Sequence, residues 1–139
     1  MEPTFLQSAA LLLVREVLGI LFLFQGYDKV FRIGINNAAD AASTAVTEKF
    51  FGRNIFKTAI LISSWIEMIG GAMLITGFQR DYGLLLLSAD MLAAGLIFSL
   101  IKPMWDMQFY FPRLIMLVIL MIAPEAWDVF RIDSILGGH

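Results

Sequence analysis

Four ionisable side chains stand where the sequence is otherwise oil. Arg15 and Glu16 lie near the middle of "AALLLVREVLGILFLFQG", and Asp90 near the middle of "YGLLLLSADMLAAGLIFSLI". Glu67 is the single charged residue of the run 58–77, almost at its centre. A charge at the middle of a membrane helix costs about 2.5–3.5 kcal/mol on insertion scales, so such residues turn away from lipid. Three acids and one base at similar depth predict one polar cluster inside a helical bundle. Burial disfavours the charged form of a carboxyl, so protonation of one or two acids is the expected relief. Asp90, whose segment has no basic residue, is the acid expected to keep its proton. Such a set can act as interhelical glue and a register device, as a site for a proton-carrying or polar-headed ligand, or as an interface with a further subunit.

Helical spacing limits which groups can meet. Arg15, Gly19, Phe22, Gly26 and Lys29 follow i, i+4, i+7, i+11 and i+14, a single stripe along one helix. Glu67, Gly70, Gly71 and Leu74 form a second stripe, and Asp90 lines up with Ala93, Ala94 and Ile97. Glycines beside a charge let helix backbones approach closely. The two glycine stripes therefore predict facing helices with Arg15 forked to Glu67. Glu16 is rotated by about 100° from Arg15 and is left for Asp90 or another partner. Lys29, at the end of its stripe, is expected at the membrane interface.

These side chains need elements to carry them. The chain has 139 residues, 59% of them hydrophobic and 16% charged, against about 45–50% and 25% in soluble domains. A single domain this small cannot hide so much apolar surface from water. Four segments approach the length that crosses a bilayer, at 9–26, 58–77, 82–101 and 110–127. The fourth has Arg113 and Glu125 near its ends, where long side chains can snorkel. The fold expected is all-α, an integral membrane four-helix bundle forming one domain over residues 1–139. Aromatic residues gather at the expected interfaces, among them Tyr27, Phe31, Trp105 and Trp127. The first loop, with "NNAADAASTAVTEKFF", is alanine-rich and lacks proline, which predicts an interfacial helix from Asn36 to about Phe51, ended by Gly52. Lys29, Arg32, Lys49, Arg53, Lys57, Lys102 and Arg113 flank loops one and three, while Arg80 and Arg131 lie on the other side. The positive-inside rule then sets loops one and three in the cytoplasm and both termini outside.

Composition also excludes. There is no cysteine, so the chain has no thiol-redox or disulfide chemistry of its own. His139, the one histidine, is terminal, which removes a bis-histidine haem. The eight methionines form no tight cluster and read as lipid-facing or core filler, so no metal site is expected. A net charge of −2 argues against a nucleic-acid partner.

Two of these runs carry a family resemblance. "REVLGILFLFQGYDKVF" resembles the Arg…Gly…Phe…Gly…Lys opening of the DoxX family, and "WIEMIGGAMLITG" its Glu-x-x-Gly-Gly…Gly signature; "FRIDSIL" is a looser match to the family's ending. The positions that match are Arg15, Gly19, Gly26, Lys29, Glu67, Gly70 and Gly71. The resemblance implies a small multi-pass protein of a bacterial inner membrane, associated with redox enzymes, in contact with lipid and with other membrane subunits or copies of itself. With no complete catalytic constellation in the sequence, the leading expectation is a non-enzymatic accessory or assembly subunit of a larger membrane complex. The alternative is a quinone-binding subunit in which Arg15, Glu67 and Asp90 hold a quinol headgroup and take its protons; a small proton-coupled transporter would use the same acids.

Overall fold

A computed structural model of the chain describes residues 3–42, 50, 52–101 and 107–137. The expected positions of Lys49, Lys102, Trp105, His139 and most of the second half of the loop-one helix lie outside them. Helix α1 spans Phe5–Tyr27 and runs on through a π-helical stretch, Asp28–Arg32. A short helix α2 (Ile35–Ala42) follows, then three long ones: α3 (Arg53–Thr76), α4 (Arg80–Ile101) and α5 (Met107–Ile122). A 3₁₀ turn, Glu125–Trp127, and a last helical turn α6 (Ile132–Ile135) complete the chain. Among the described residues there is no strand.

Local chemistry sets the helix ends. Thr4 caps α1 in a reciprocal box: Gln7 N–H donates to Thr4 Oγ1 (3.3 Å) and Thr4 N–H to Gln7 Oε1 (2.8 Å). Gly77, at φ 67° in the left-handed region that favours glycine, ends α3 and lets α4 begin three residues later. Gly52 is the residue from which α3 starts; the expectation that it also ends the loop-one helix rests on residues 43–49 and 51, which lie outside the described residues.

The long helices pack in chain order, α1 on α3, α3 on α4, α4 on α5, and α5 back on α1. The core they enclose includes Leu18, Phe22, Leu74, Leu87, Leu117 and Leu120. Glycine makes the α1–α3 contact close. A Cβ at Gly71 would stand 2.6 Å from Leu23 N and 2.7 Å from Gly19 O. One at Gly19 would stand 2.8 Å from Ile75 Cγ1, and one at Gly26 would collide with Ser64 O. Gly70 gives the same proximity to Leu87 of α4, at 2.6 Å. The outer faces are apolar: Leu13, Ile20, Phe24, Ile69, Leu92 and Ile119 are all exposed. Exposed apolar side chains in such number are what a lipid-facing protein presents. Among the described residues, two helices, Phe5–Arg32 and Arg53–Thr76, are long and apolar enough to cross a membrane.

Candidate functional site

The close contacts fix the register, and the register separates what the sequence joins. Gly19 faces Gly71 and Ile75, and Gly26 faces Ser64 and Met68, so α1 and α3 are antiparallel. Glu67 therefore lies beside Gly26. Arg15 lies beside Gly77, with its Nη1 against that glycine. Ten residues of α3 separate the two levels, about 15 Å. The expected Arg15–Glu67 pair does not form, and the single polar cluster is two. Each charge is central in its own apolar run, but the helices are staggered, so the middle of one faces the end of the other.

The first centre gathers at the α3–α4 turn. Arg15 Nη1 donates to Asp128 Oδ1 (2.7 Å) and Nη2 to the Phe130 carbonyl (2.7 Å). Arg80 Nη1 donates to Asp128 Oδ2 (3.1 Å), and its Nη2 to the Leu120 carbonyl. Arg15 and Asp128 are each 1% exposed and Arg80 3%. Glu16 stays at the rim, 3.4 Å from Arg15 Nη2, and does not approach Asp90 as one expectation had it. Asp133 accepts from Gln79 N–H (2.8 Å), tying α6 to the turn. One carboxylate thus bridges two buried guanidiniums and fastens the C-terminal segment onto the helices. Asp128 and Arg80 were missed as members of this centre because both follow or precede an apolar run, where charges ordinarily face water.

The second centre lies at the opposite end of the α1–α3 contact. Lys29 turns inward rather than out to the interface. Its Nζ donates to both oxygens of Glu67, at 3.0 and 2.9 Å, with the carboxylate 5% exposed and the lysine 27%. The π-helical stretch begins at the residue before Lys29; such wide turns often accompany functional sites. On α4, Leu87 packs against Gly70, so Asp90, three residues further, stands level with Glu67, three residues back along the antiparallel α3. Ser63 faces the Asp90 carboxyl, and Lys29 lies within electrostatic range of both acids. Asp90 forms no ion pair among the described residues.

These groups line a cavity of about 650 Å³ bounded by all five of the helices α1–α5. Its walls are mostly small or apolar, including Ala59, Ile66, Ala89, Ala93, Ala94 and Ile97, and α2 contributes Ala38 and Ala42. Its polar lining is Gln25, Lys29, Ser63, Glu67, Asp90 and Arg113, with Tyr110 beside them. Gln25 Oε1 is buried without a hydrogen-bond partner. Arg113, read from sequence as snorkelling from the end of the fourth span, instead faces this cavity one turn along α5 from Tyr110, whose hydroxyl donates to the Met91 carbonyl (2.8 Å). An apolar cleft of a few hundred Å³ with a small set of converging polar groups is the usual form of a small-molecule site.

Among the described residues the outer faces of the long helices are largely apolar while Arg15, Glu67, Arg80, Asp90 and Asp128 are buried, a distribution that fits a membrane protein. The DoxX family model matches residues 10–100, which carry α1 to α4 and every charged residue of the second centre except Arg113, and the chain belongs to that family. Comparison with curated proteins and with solved structures returned no match.

Proposed function

We propose that this DoxX-family protein binds a lipid-soluble ligand with an apolar body and a polar head, and that a quinone or quinol is the class of molecule it takes. What supports the reading is the cavity. Its volume suits a ring with part of a chain, its walls suit an apolar body, and Lys29, Glu67 and Asp90 converge at one depth to meet a head. Carboxyls at that depth can accept the protons a quinol releases. In this reading the chain crosses a bacterial inner membrane four times, with loops one and three cytoplasmic, and works as a ligand-holding subunit beside a redox partner.

The test is gentle extraction from native membrane followed by mass spectrometry of everything that remains bound. One quinone-class molecule per chain, lost when the cavity is filled by Ala93→Phe, is the expected result. Bulk phospholipid alone, unchanged by that substitution, would overturn the reading. A stoichiometric protein partner with no small molecule would return the protein to a purely accessory role.

A further inference from the structure

Among the described residues, Arg113 is the cavity-lining cation that no direct contact answers. It makes no hydrogen bond and no ion pair among the described residues, although it is only partly exposed and lies within electrostatic range of Glu67. The other charges around it are committed or remote. Lys29 spends its short contacts on both oxygens of Glu67. Asp90 faces Ser63, and no ion pair joins it to Arg113 across the cavity. A guanidinium carries five donors in a planar fork and cannot be deprotonated, so it cannot shed its charge as a buried lysine or acid can. Left bare in a membrane interior it is costly, and a polar partner is the way that cost is removed.

We propose that Arg113 is the head-group anchor of the cavity, and that it takes an sp² oxygen of an amphiphile, either the carbonyl of a quinone or the carboxylate of a fatty acid. The fork of α5 reaches in from one wall, while Asp90 and Ser63 stand on the wall formed by α4 and α3. A ligand that enters with its chain among the alanines and isoleucines brings its oxygen to the free guanidinium donors of Arg113. A planar carbonyl or carboxylate matches the fork's geometry, as a point charge does not. This inference rests on the ligand-binding reading above and adds to it the atom that is held and the residue that holds it.

The experiment uses the full chain in lipid nanodiscs and three probes: a decyl-substituted benzoquinone, dodecanoic acid, and the dimethyl ether of the decyl hydroquinone, which keeps the ring and chain but has no sp² oxygen. Binding is followed by intrinsic tryptophan fluorescence, and thermal unfolding without ligand is recorded in parallel. The wild-type protein binds the benzoquinone or the fatty acid, or both, and the ether at least tenfold more weakly. Arg113→Met abolishes that preference, weakening the favoured probe at least tenfold, which corresponds to about 1.4 kcal/mol. The unfolding temperature of the empty variant is unchanged or higher, because a bare charge has been removed and no bond broken. Arg113→Lys, which keeps the charge without the fork, recovers only part of the affinity. Which of the two favoured probes loses affinity identifies the source of the oxygen. If wild type binds the probes and Arg113→Met binds them equally well, the anchor assignment is wrong while the ligand-binding reading stands. If the substitution lowers the unfolding temperature and leaves the preference intact, Arg113 is structural. If wild type binds none of the probes, the ligand-binding reading fails and the anchor with it.

Discussion

Removing Asp128 should damage this protein more than any other single change to a charged residue. Its two oxygens hold Arg15 and Arg80 at 2.7 and 3.1 Å, and all three side chains are 3% exposed or less. Hydrogen bonds to charged groups contribute about 1.5–3 kcal/mol each. Breaking a buried pair by deleting one partner costs about 3–5 kcal/mol, because the other charge is stranded. Here two are stranded, so Asp128→Leu is expected at the upper end, about 5 kcal/mol, a third or more of the stability of an ordinary domain. The assay is equilibrium unfolding in mixed micelles, arranged as a double-mutant cycle. Asp128→Leu and Arg15→Met should each destabilise, and the double variant should recover at least about 1.5 kcal/mol relative to their sum. A parallel cycle of Arg15→Met with Glu67→Leu should be additive within about 0.5 kcal/mol, as expected of sites well beyond contact. Additivity in the first cycle, or coupling in the second, would refute the separation of the charges into two centres.

Three further outcomes follow. Glu67→Leu, which leaves the Lys29 ammonium facing the cavity alone, should cost about 3 kcal/mol, and Lys29→Met in the same chain should restore part of it in the same unfolding assay. Gly71→Ala, whose added carbon would meet the backbone of Leu23 and Gly19, should cost about 1–3 kcal/mol by forcing α1 and α3 apart, while Gly70→Ala, which meets only the movable Leu87 side chain, should cost less. Asp90→Asn, which alters a side chain with no ion pair to lose, should unfold like wild type within about 0.5 kcal/mol, yet change which cavity ligands co-purify, as read by mass spectrometry.

Much of the helical framework was open to reading from the sequence, because length and apolarity alone determine it. Three of the four apolar runs are carried by helices that reach beyond their starts, α1 beginning at Phe5 before the run at 9–26 and α3 at Arg53 before the run at 58–77. The fourth, 110–127, outlasts its helix, which ends at Ile122 ahead of Pro124 and a 3₁₀ turn. The overruns are polar at one end and are held by caps and packing, which hydropathy does not register. The stripes were legible too. Arg15 and Lys29 do share the face of α1 that meets α3, as their spacing of fourteen requires. What spacing along one helix leaves open is the stagger between two. That offset is set by which glycines meet which backbone atoms, here Gly19 with Gly71 and Gly26 with Ser64. It assigns Glu67 to Lys29 rather than Arg15. The partner of Arg15 lies 113 residues away, in a segment whose polar residues suggest a solvated tail. A signal did exist: Asp128 lies between Trp127 and "VF", an aromatic and apolar setting uncommon for a solvent-facing acid.

The two centres differ in how their charges are bonded. Around Asp128 both terminal nitrogens of each guanidinium are bonded, to a carboxylate on one side and a backbone carbonyl on the other, and the result is a fastened chain end. The Nε of Arg15 and of Arg80 is buried without a partner, so the terminal nitrogens carry all of the bonding there. Around the cavity only the Lys29–Glu67 pair is complete. Asp90 and Arg113 both line it, on α4 and α5, and form no ion pair with each other. An arginine without a partner at a helix centre costs about 2.5–3.5 kcal/mol on insertion scales, a large share of the stability of a small domain. Neither Asp90 nor Arg113 is needed to set the register, which the glycine contacts already determine, nor to fill volume, which a leucine would do without penalty. In the proposed function, these are the groups that meet the head of the bound molecule. The order of effects is testable within one set of variants: substitutions at Asp128 should change unfolding and leave ligand occupancy per folded chain intact, while substitutions at Asp90 and Arg113 should do the reverse. If both classes of variant moved stability and occupancy together, the two centres would be one cooperative unit, and the division drawn here between fastening and binding would be lost.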